Sequence, residues 1–168
     1  MADEIVNKVA QSGLITFDMG TLYPPGNRQV IDIATWLDEG IVLREKRFRE
    51  SVKNHHWEQY NDAYIALHCS TDAIIPQWAW MLISTELAPY ARDVVIGNRE
   101  VLETALIQRK IQGLDVNVYR DARVIIAGCS EFPVPASAYA QLAIRLQPLV
   151  KSLFYGEACS SVPLFKRK

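Results

Sequence analysis

The sequence predicts an α/β domain whose parallel sheet is built from two repeated βαβ units. Two observations predict this fold. Short apolar runs alternate with helical patterns along most of the chain, an order typical of parallel sheets that are covered by helices on their faces. The chain also repeats itself, because "YNDAYIALHCS" is followed by the similar string "YRDARVIIAGCS". The pairs that the two strings share at one constant separation are Tyr60/Tyr119, Asp62/Asp121 and Ala63/Ala122.

The similarity continues into the segments that follow these strings. One residue is inserted before Cys129, so the separation between the two Cys-Ser pairs is one residue larger than that between the preceding equivalent residues. The original separation returns at Pro76 and Pro135. The predicted repeats therefore span residues 60–97 and 119–156. Apolar residues at spacings of three and four put one face of each helix toward a core. These residues are Trp80, Ile83, Leu87 and Tyr90 in one repeat, and Tyr139, Leu142, Leu146 and Leu149 in the other.

Each repeat predicts the same order of elements. Its first strand is a short continuous apolar run, "AYIALH" or "ARVIIAG", as expected for a strand buried on both faces. A Cys-Ser pair and a short loop follow, and a proline stands near the start of the next helix, where its missing N–H costs little. A second strand, "DVVIG" or "SLFYG", ends on glycine.

A third helix is predicted between the repeats, at "NREVLETALIQRKIQG". Asn98 suits its N-terminal cap and Gly113 its C-terminal cap. The order of elements from residue 62 to residue 156 is then β-α-β-α-β-α-β, with a single sheet as the expected result.

Residues 1–58 are interpreted as an N-terminal extension of the same domain, so that one α/β domain spans residues 1–168. Short strands are predicted at "LITFDM" and "VIDIA", and a helix at "EKRFRESVKN". A chain of 168 residues is long enough to bury one core without disulfides or metals as staples.

Composition excludes several classes of function. The chain is 49% hydrophobic and 22% charged with a net charge of -1, so a basic surface for nucleic acid is not expected. No apolar run approaches the roughly 20 residues of a membrane helix. The N-terminal string "MADEIVNKVAQSG" lacks the charged start and apolar middle of a signal peptide. Three cysteines, an odd number, indicate reduced thiols in a cytoplasmic protein.

All three cysteines are followed by serine and lie after predicted strands. Cys69 and Cys129 end the first strands of the two repeats, and Cys159 follows the strand that ends at Gly156. Ligands of open α/β sheets bind at the carboxyl ends of the strands. If the two repeat strands were neighbours, about 4.8 Å apart, their thiols could share one ligand. The sequence therefore predicts that the three cysteines mark one rim.

This rim is the candidate metal centre. Three thiolates and one histidine would complete a tetrahedral zinc site, and three thiolates could hold part of an iron–sulfur cluster. The leading hypothesis is an accessory protein for metal or sulfur handling that binds zinc, iron or an iron–sulfur cluster. No CxxC or HxxxH pair exists, so the ligands could converge only through the fold. The candidate ligands are Cys69, Cys129, Cys159, His68 and His55.

Two other interpretations stay open. One of the cysteines could be the nucleophile of a thiol or persulfide-transfer enzyme, or the cysteines could be core residues of an interaction module. His68 and the adjacent pair His55 and His56 also suit structural, hydrogen-bonded histidines. No GxSxG, Walker A or GxGxxG motif is present. No arginine closely follows Cys69 or Cys129, as it would in phosphatase or rhodanese loops.

Four segments carry a resemblance to a known family: "GIVLREKRFRESVKNHHW", "CSTDAIIPQWAWML", "GCSEFPVPASAY" and "YGEACSSVPLFKRK". Through them the whole chain resembles a bacterial domain-of-unknown-function family, number 2480. The resemblance implies an association with iron–sulfur cluster assembly, and hence a protein partner in that process and cytoplasmic metal or sulfur handling. It supplies no activity and no catalytic residue, and it leaves a homo-oligomer open.

Overall fold

The computed structural model describes residues 13–168. The expectation that the N-terminus carries no signal peptide concerns residues 1–12 and lies outside the described residues. The strands are β1 (Leu14–Asp18), β2 (Asn27–Asp32), β3 (Ala63–His68), β4 (Asp93–Ile96), β5 (Arg123–Ala127), β6 (Ser152–Glu157) and β7 (Ser160–Lys166). The α-helices are α1 (Glu45–Asn54), α2 (Gln77–Leu87), α3 (Arg99–Gln112) and α4 (Ala136–Leu146). Short 3-10 helices lie at Met19–Leu22, Ile33–Trp36, Trp57–Tyr60 and Val116–Tyr119.

The strands form two sheets. One is parallel throughout, in the order β2-β3-β4, and the other has the order β1-β5-β6-β7 with β7 antiparallel to β6. The α/β fold class is thus confirmed, but the prediction of one sheet is wrong. The first strands of the two repeats, β3 and β5, lie in different sheets, since β3 lies between β2 and β4 and β5 lies between β1 and β6.

The chain divides into two compact units, each holding one of the sheets. The continuous unit is Pro25–Ala105, and the split unit is the chain up to Pro24 together with Leu106–Lys168. The boundary falls inside α3. The prediction of one domain over residues 1–168 stays a prediction.

The predicted repeat is confirmed in part. Each unit contains one βαβ segment, β3-α2-β4 or β5-α4-β6, and the details match at equivalent positions of the repeat. The N–H of Asp62 donates to the carbonyl of Tyr90 at 3.0 Å, and that of Asp121 to the carbonyl of Leu149 at 2.9 Å. The residues that α2 and α4 bury correspond one to one: Ala79, Ile83 and Leu87, and Ala138, Leu142 and Leu146. The repeats are therefore structural copies, although each belongs to its own sheet.

The N-terminal elements exist but are not an appendage. Helix α1 covers the predicted "EKRFRESVKN". Strands β1 and β2 each pair in parallel with the first strand of one repeat, with Asp18 opposite Ala127 and Asp32 opposite His68. Because each repeat needs such a strand to complete its sheet, both strands are integral to the two cores.

The core of each unit lies between its sheet and its helices. Strand β3 is buried along all but the last of its residues, which explains its continuous apolar sequence. Helix α3 begins as predicted, since the Asn98 side chain accepts the N–H of Val101 at 3.0 Å. Among the helices of residues 13–168, none combines the length and apolarity that crossing a membrane requires.

Candidate functional site

The carboxyl edge of the continuous unit's sheet gathers a carboxylate, an imidazole and a thiol. Strand β2 ends at Asp32, which lies opposite His68 at the end of β3, and Cys69 follows directly. Because parallel strands end at the same edge of a sheet, the ends of β2 and β3 bring these three residues to one edge. This is the edge at which the sequence predicted ligand binding.

Asp32 ties two segments of this edge together. Its Oδ1 accepts the backbone N–H of Ala34 and that of Ser70, each at 3.0 Å. Burial raises the pKa of Asp32, but hydrogen bonds from Ser70 and Ala34 and the charge of His68 outweigh it and hold this pKa below its usual value. Asp32 is therefore a carboxylate at neutral pH, and it fixes the loop that carries Cys69.

A cavity of about 370 Å³ opens beside Cys69, and we call it the Cys69 cavity. Its polar lining comes from His68, Cys69 and Thr71, next to Gly97 at the end of β4. The rest of its wall is apolar: Ala73, Ile75, Trp80 and Ile96. Cys69 and His68 thus both line one space that is large enough for a small molecule.

The hydrogen bonds of Cys69 define its resting state. Its Sγ lies 3.3 Å from the Thr71 hydroxyl, and that hydroxyl donates its only proton to the Gly40 carbonyl. The contact between sulfur and hydroxyl then needs the S–H group as donor. Attack by this sulfur, or its binding of an ion, requires the loss of the S–H proton.

The carboxyl edge of the split unit's sheet also carries a thiol, that of Cys129, but the surroundings of this thiol differ from those of Cys69. The Cys129 sulfur accepts the N–H of Phe132 at 3.4 Å. A Cβ atom on Gly20 would lie 3.1 Å from this sulfur, so the thiol packs closely against this glycine. Phe132 in turn stacks on Tyr23, with ring centroids 4.2 Å apart. Cys129 is thus packed within a loop.

The split unit also has a cavity of about 370 Å³, which we call the Tyr139 cavity. Tyr139 and Tyr155 line it, together with apolar residues that include Ile126, Ala140, Ala143 and Leu164. Among the described residues, those that line it do not include Cys129. The linings of the two cavities share two equivalent positions of the repeat, Trp80/Tyr139 and Ile96/Tyr155, but the Cys69 cavity includes a cysteine and the Tyr139 cavity includes two tyrosines.

Cys159 lies in the turn between β6 and β7, where it is exposed. Its Sγ is 3.9 Å from Glu157 Oε2. The sequence correctly predicted that it follows a strand end, but strand β7 was not predicted.

His55 belongs to an aromatic cluster. Its Nε2 lies 2.8 Å from the Tyr60 hydroxyl, and its ring contacts Trp36 and Trp57 edge to face at 5.1 and 4.7 Å. Burial lowers the pKa of His55, and the charge of His56 lowers it further. These contacts are those of a structural histidine, the other interpretation that the sequence left open.

The structure does not support the expectation that the three cysteines lie on one rim. It assumed that Cys69 and Cys129 end neighbouring strands, whereas they follow strands of different sheets. Within residues 13–168, no three His, Cys, Asp or Glu side chains are grouped as a metal ion requires. The sequence prediction failed here because the repeat shows which positions are equivalent, and not which strands pair.

Sequence reasoning missed the two aspartates at the ends of β2 and β1. A signal was available, since "DMGT" and "DIAT" share an Asp-x-x-Thr pattern. In both, the threonine hydroxyl donates to the aspartate carbonyl, for Thr21 at 2.7 Å and for Thr35 at 3.1 Å. Each aspartate also caps the 3-10 helix that follows it.

Comparison with known proteins agrees with the resemblance noted in the sequence. The model of one family matches residues 3–167, which is nearly the whole chain. No curated protein and no solved structure matches the chain. The family's description names no activity, cofactor or partner. The chain belongs to this family, which is described as a protein of unknown function (DUF2480).

Proposed function

We propose that the protein is a thiol enzyme that transfers sulfur from a small organic persulfide, with Cys69 as nucleophile and His68 as proton carrier. The observation that carries the proposal is that Cys69 and His68 line the same cavity at the carboxyl edge of a parallel sheet. A nucleophile and a base that face one small-molecule space are the minimal parts of a covalent transfer site.

Cys69 is preferred to the other two thiols because of its surroundings. Cys129 is packed against Gly20 and the Phe132 N–H, outside the described lining of the Tyr139 cavity. Cys159 stands exposed in a hairpin turn. A reactive thiol needs both access and a place for its substrate, and Cys69 has both.

The proposed reaction begins with the removal of the Cys69 proton by the His68 imidazole. The thiolate then attacks the outer sulfur of the bound persulfide, and the sulfur–sulfur bond of the donor breaks. The electron pair of that bond leaves on the inner sulfur, which takes a proton from His68. The products are a Cys69 persulfide and a free thiol, so no external oxidant or reductant is needed.

Two features favour persulfide over other electrophiles. Acyl transfer requires N–H donors for an oxyanion, but the Ser70 N–H next to the thiol donates to Asp32 instead. The described lining residues include no arginine or lysine, which favours an organic donor over an anion such as thiosulfate. The absence of an arginine after Cys69 in the sequence agrees with this choice.

The remaining expectations stand beside this proposal. A cytoplasmic location would keep Cys69 reduced, as the reaction requires. Two expectations stay predictions: that Cys69, Cys129 and Cys159 bind zinc, iron or an iron–sulfur cluster, and that the protein is associated with iron–sulfur cluster assembly. A thiol that binds a metal resists alkylation, so the two functions differ in a measurable way.

The experiment treats protein purified without air with the persulfide of 2-mercaptoethanol, whose organic body is uncharged, and locates the added sulfur by mass spectrometry. We expect a mass gain of a single sulfur atom on the peptide that contains Cys69. Cys69→Ser should abolish this gain, whereas Cys129→Ser and Cys159→Ser serve as matched controls and should retain it. His68→Asn should slow loading about 100-fold and change its pH profile.

Two results would contradict the proposal. Loading that persists in Cys69→Ser would assign the chemistry to another thiol. Near-stoichiometric zinc or iron in the purified protein, lost on substitution of Cys69, would favour the metal-binding interpretation.

A further inference from the structure

The Tyr139 cavity and the adjoining end of β5 differ from the first repeat at several positions, and three of these differences lie close together. Tyr139 stands where the first repeat has Trp80, and Tyr155 stands where it has Ile96. Gly128 is the residue inserted before Cys129, with no counterpart before Cys69. Since the backbone of the repeats otherwise corresponds, these differences show where the two cavities have diverged.

The three differences meet at one point. A Cβ atom on Gly128 would lie 3.3 Å from the Tyr155 hydroxyl oxygen and 3.8 Å from that of Tyr139. The two rings are nearly perpendicular, with centroids 5.8 Å apart. The inserted glycine therefore lets two phenol groups approach the end of β5 and converge there.

The hydrogen bonding of these phenols favours an acceptor as their partner. The Cys129 N–H donates to the Tyr139 oxygen at 3.4 Å, which leaves the Tyr139 O–H proton for another group. The rest of the wall is apolar, including Ala140, Ala143 and Leu164, and none of the described lining residues is charged. The lining thus offers no charged partner to a charged ligand group, whereas a carbonyl oxygen can accept from both hydroxyls.

We propose that the Tyr139 cavity binds a small, uncharged, largely apolar molecule whose carbonyl oxygen accepts hydrogen bonds from Tyr139 and Tyr155. Its apolar body lies against the alanines of α4 and Leu164. A volume of about 370 Å³ is near the lower end of small-molecule sites. This site is separate in residues and chemistry from the transfer at Cys69, and either can fail without the other.

The test uses benzophenone, an apolar molecule with one carbonyl, and diphenylmethane, which has the same rings without it. Each is titrated into the full chain while backbone amide chemical shifts are followed. We expect benzophenone to shift the amides of Gly128, Cys129 and Leu164 and to bind about 5-fold or more tightly than diphenylmethane, as one or two hydrogen bonds provide.

Variants separate the roles of the hydroxyls and of the apolar wall. Tyr139→Phe and Tyr155→Phe should each weaken benzophenone about 3- to 10-fold and leave diphenylmethane unchanged. Ala140→Leu, on an exposed helical position, should fill the cavity and weaken both probes. Trp80→Phe changes the Cys69 cavity and should leave both affinities at the Tyr139 cavity intact.

Circular dichroism of each variant establishes that it is folded. Absence of benzophenone binding up to its solubility limit would overturn the proposal. So would equal affinity for the two probes, or shifts that Ala140→Leu leaves unchanged.

Discussion

The Asp32 carboxylate accepts the backbone N–H of Ser70 at 3.0 Å, which joins the end of β2 to the loop that carries Cys69. The same oxygen caps the 3-10 helix after β2 by accepting the N–H of Ala34. One side chain thus fixes two segments at the edge where the Cys69 cavity opens. The reactivity of Cys69 should depend on this carboxylate, although Asp32 is not among the described residues that line the cavity.

Replacing Asp32 with alanine should loosen the Cys69 loop. The change removes acceptors for two N–H groups, so we expect the free energy of unfolding to fall by about 1–2 kcal/mol. Cys69 should then react faster with iodoacetamide, because its loop opens more often. Urea denaturation and alkylation rates measured by mass spectrometry test both effects. Asp18→Ala removes the equivalent cap in the split unit and should leave Cys69 alkylation at the rate of the unaltered protein.

The contribution of Asp32 to stability should disappear in acid. Its pKa is held below the usual value in the folded state, so the stabilisation is fully present above the unfolded pKa of about 3.9 and is lost as the pH falls through the folded pKa. The difference in free energy of unfolding between the unaltered protein and Asp32→Asn should therefore be constant from about pH 7 to about pH 5 and shrink below about pH 4. A difference that is constant with pH would show that the charge of Asp32 does not matter.

His55 should make the protein less stable as the pH falls below about 6.5, the unfolded pKa of histidine. Burial, with the charge of His56, lowers the pKa of His55, so the unfolded chain binds a proton that the folded chain does not. Burial also raises the pKa of Tyr60, whose hydroxyl lies 2.8 Å from His55 Nε2. Urea denaturation at about pH 7.5 and about pH 5 measures the loss.

Two variants test the assignment to His55. His55→Phe keeps a ring against Trp36 and Trp57 but cannot titrate, so most of the pH dependence in this range should vanish. His56→Gln should retain most of it, because burial is the larger cause of the lowered pKa of His55. An unchanged pH dependence in His55→Phe would assign the effect to another group.

Gly97 should not tolerate a side chain. It has a φ of 146° at the end of β4, and a Cβ atom there would lie 2.7 Å from Val101. We expect Gly97→Ala to lower the free energy of unfolding by about 1–3 kcal/mol and to disturb the Cys69 cavity that Gly97 lines. Gly113→Ala is the matched control, since its nearest contact would be an ordinary 3.6 Å, and it should cost far less.

A fragment of residues 25–105 should fold by itself. It contains all three strands of the β2-β3-β4 sheet and helices α1 and α2, whose apolar faces form its core. We expect dispersed amide resonances and a cooperative urea transition for this fragment. Residues 106–168 alone lack β1, the strand that pairs with β5, and should not fold. A fragment 25–105 without cooperative unfolding would instead support the prediction of one domain.

The sequence by itself determined the local elements and their repetition. Three kinds of local feature can be recognised from the chain alone, because each depends on contacts within a few residues. They are the continuous apolar runs of β3 and β5, the apolar spacings of three and four residues in α2 and α4, and the N-terminal cap at Asn98. Internal similarity likewise placed Cys69 and Cys129 at equivalent strand ends. These inferences hold because propensity, capping and amphipathic spacing act locally.

Only the tertiary structure decided which strands pair. Strand β1 lies beside β5, which is far away in the chain, and not beside β2, its neighbour in sequence. Both β1 and β2 have an apolar residue directly before a terminal aspartate, so these local patterns do not select a partner. That choice separates Cys69 from Cys129 into two sheets and puts Asp32 opposite His68. The candidate site therefore follows from long-range pairing, which depends on the burial of whole faces and not on any short segment.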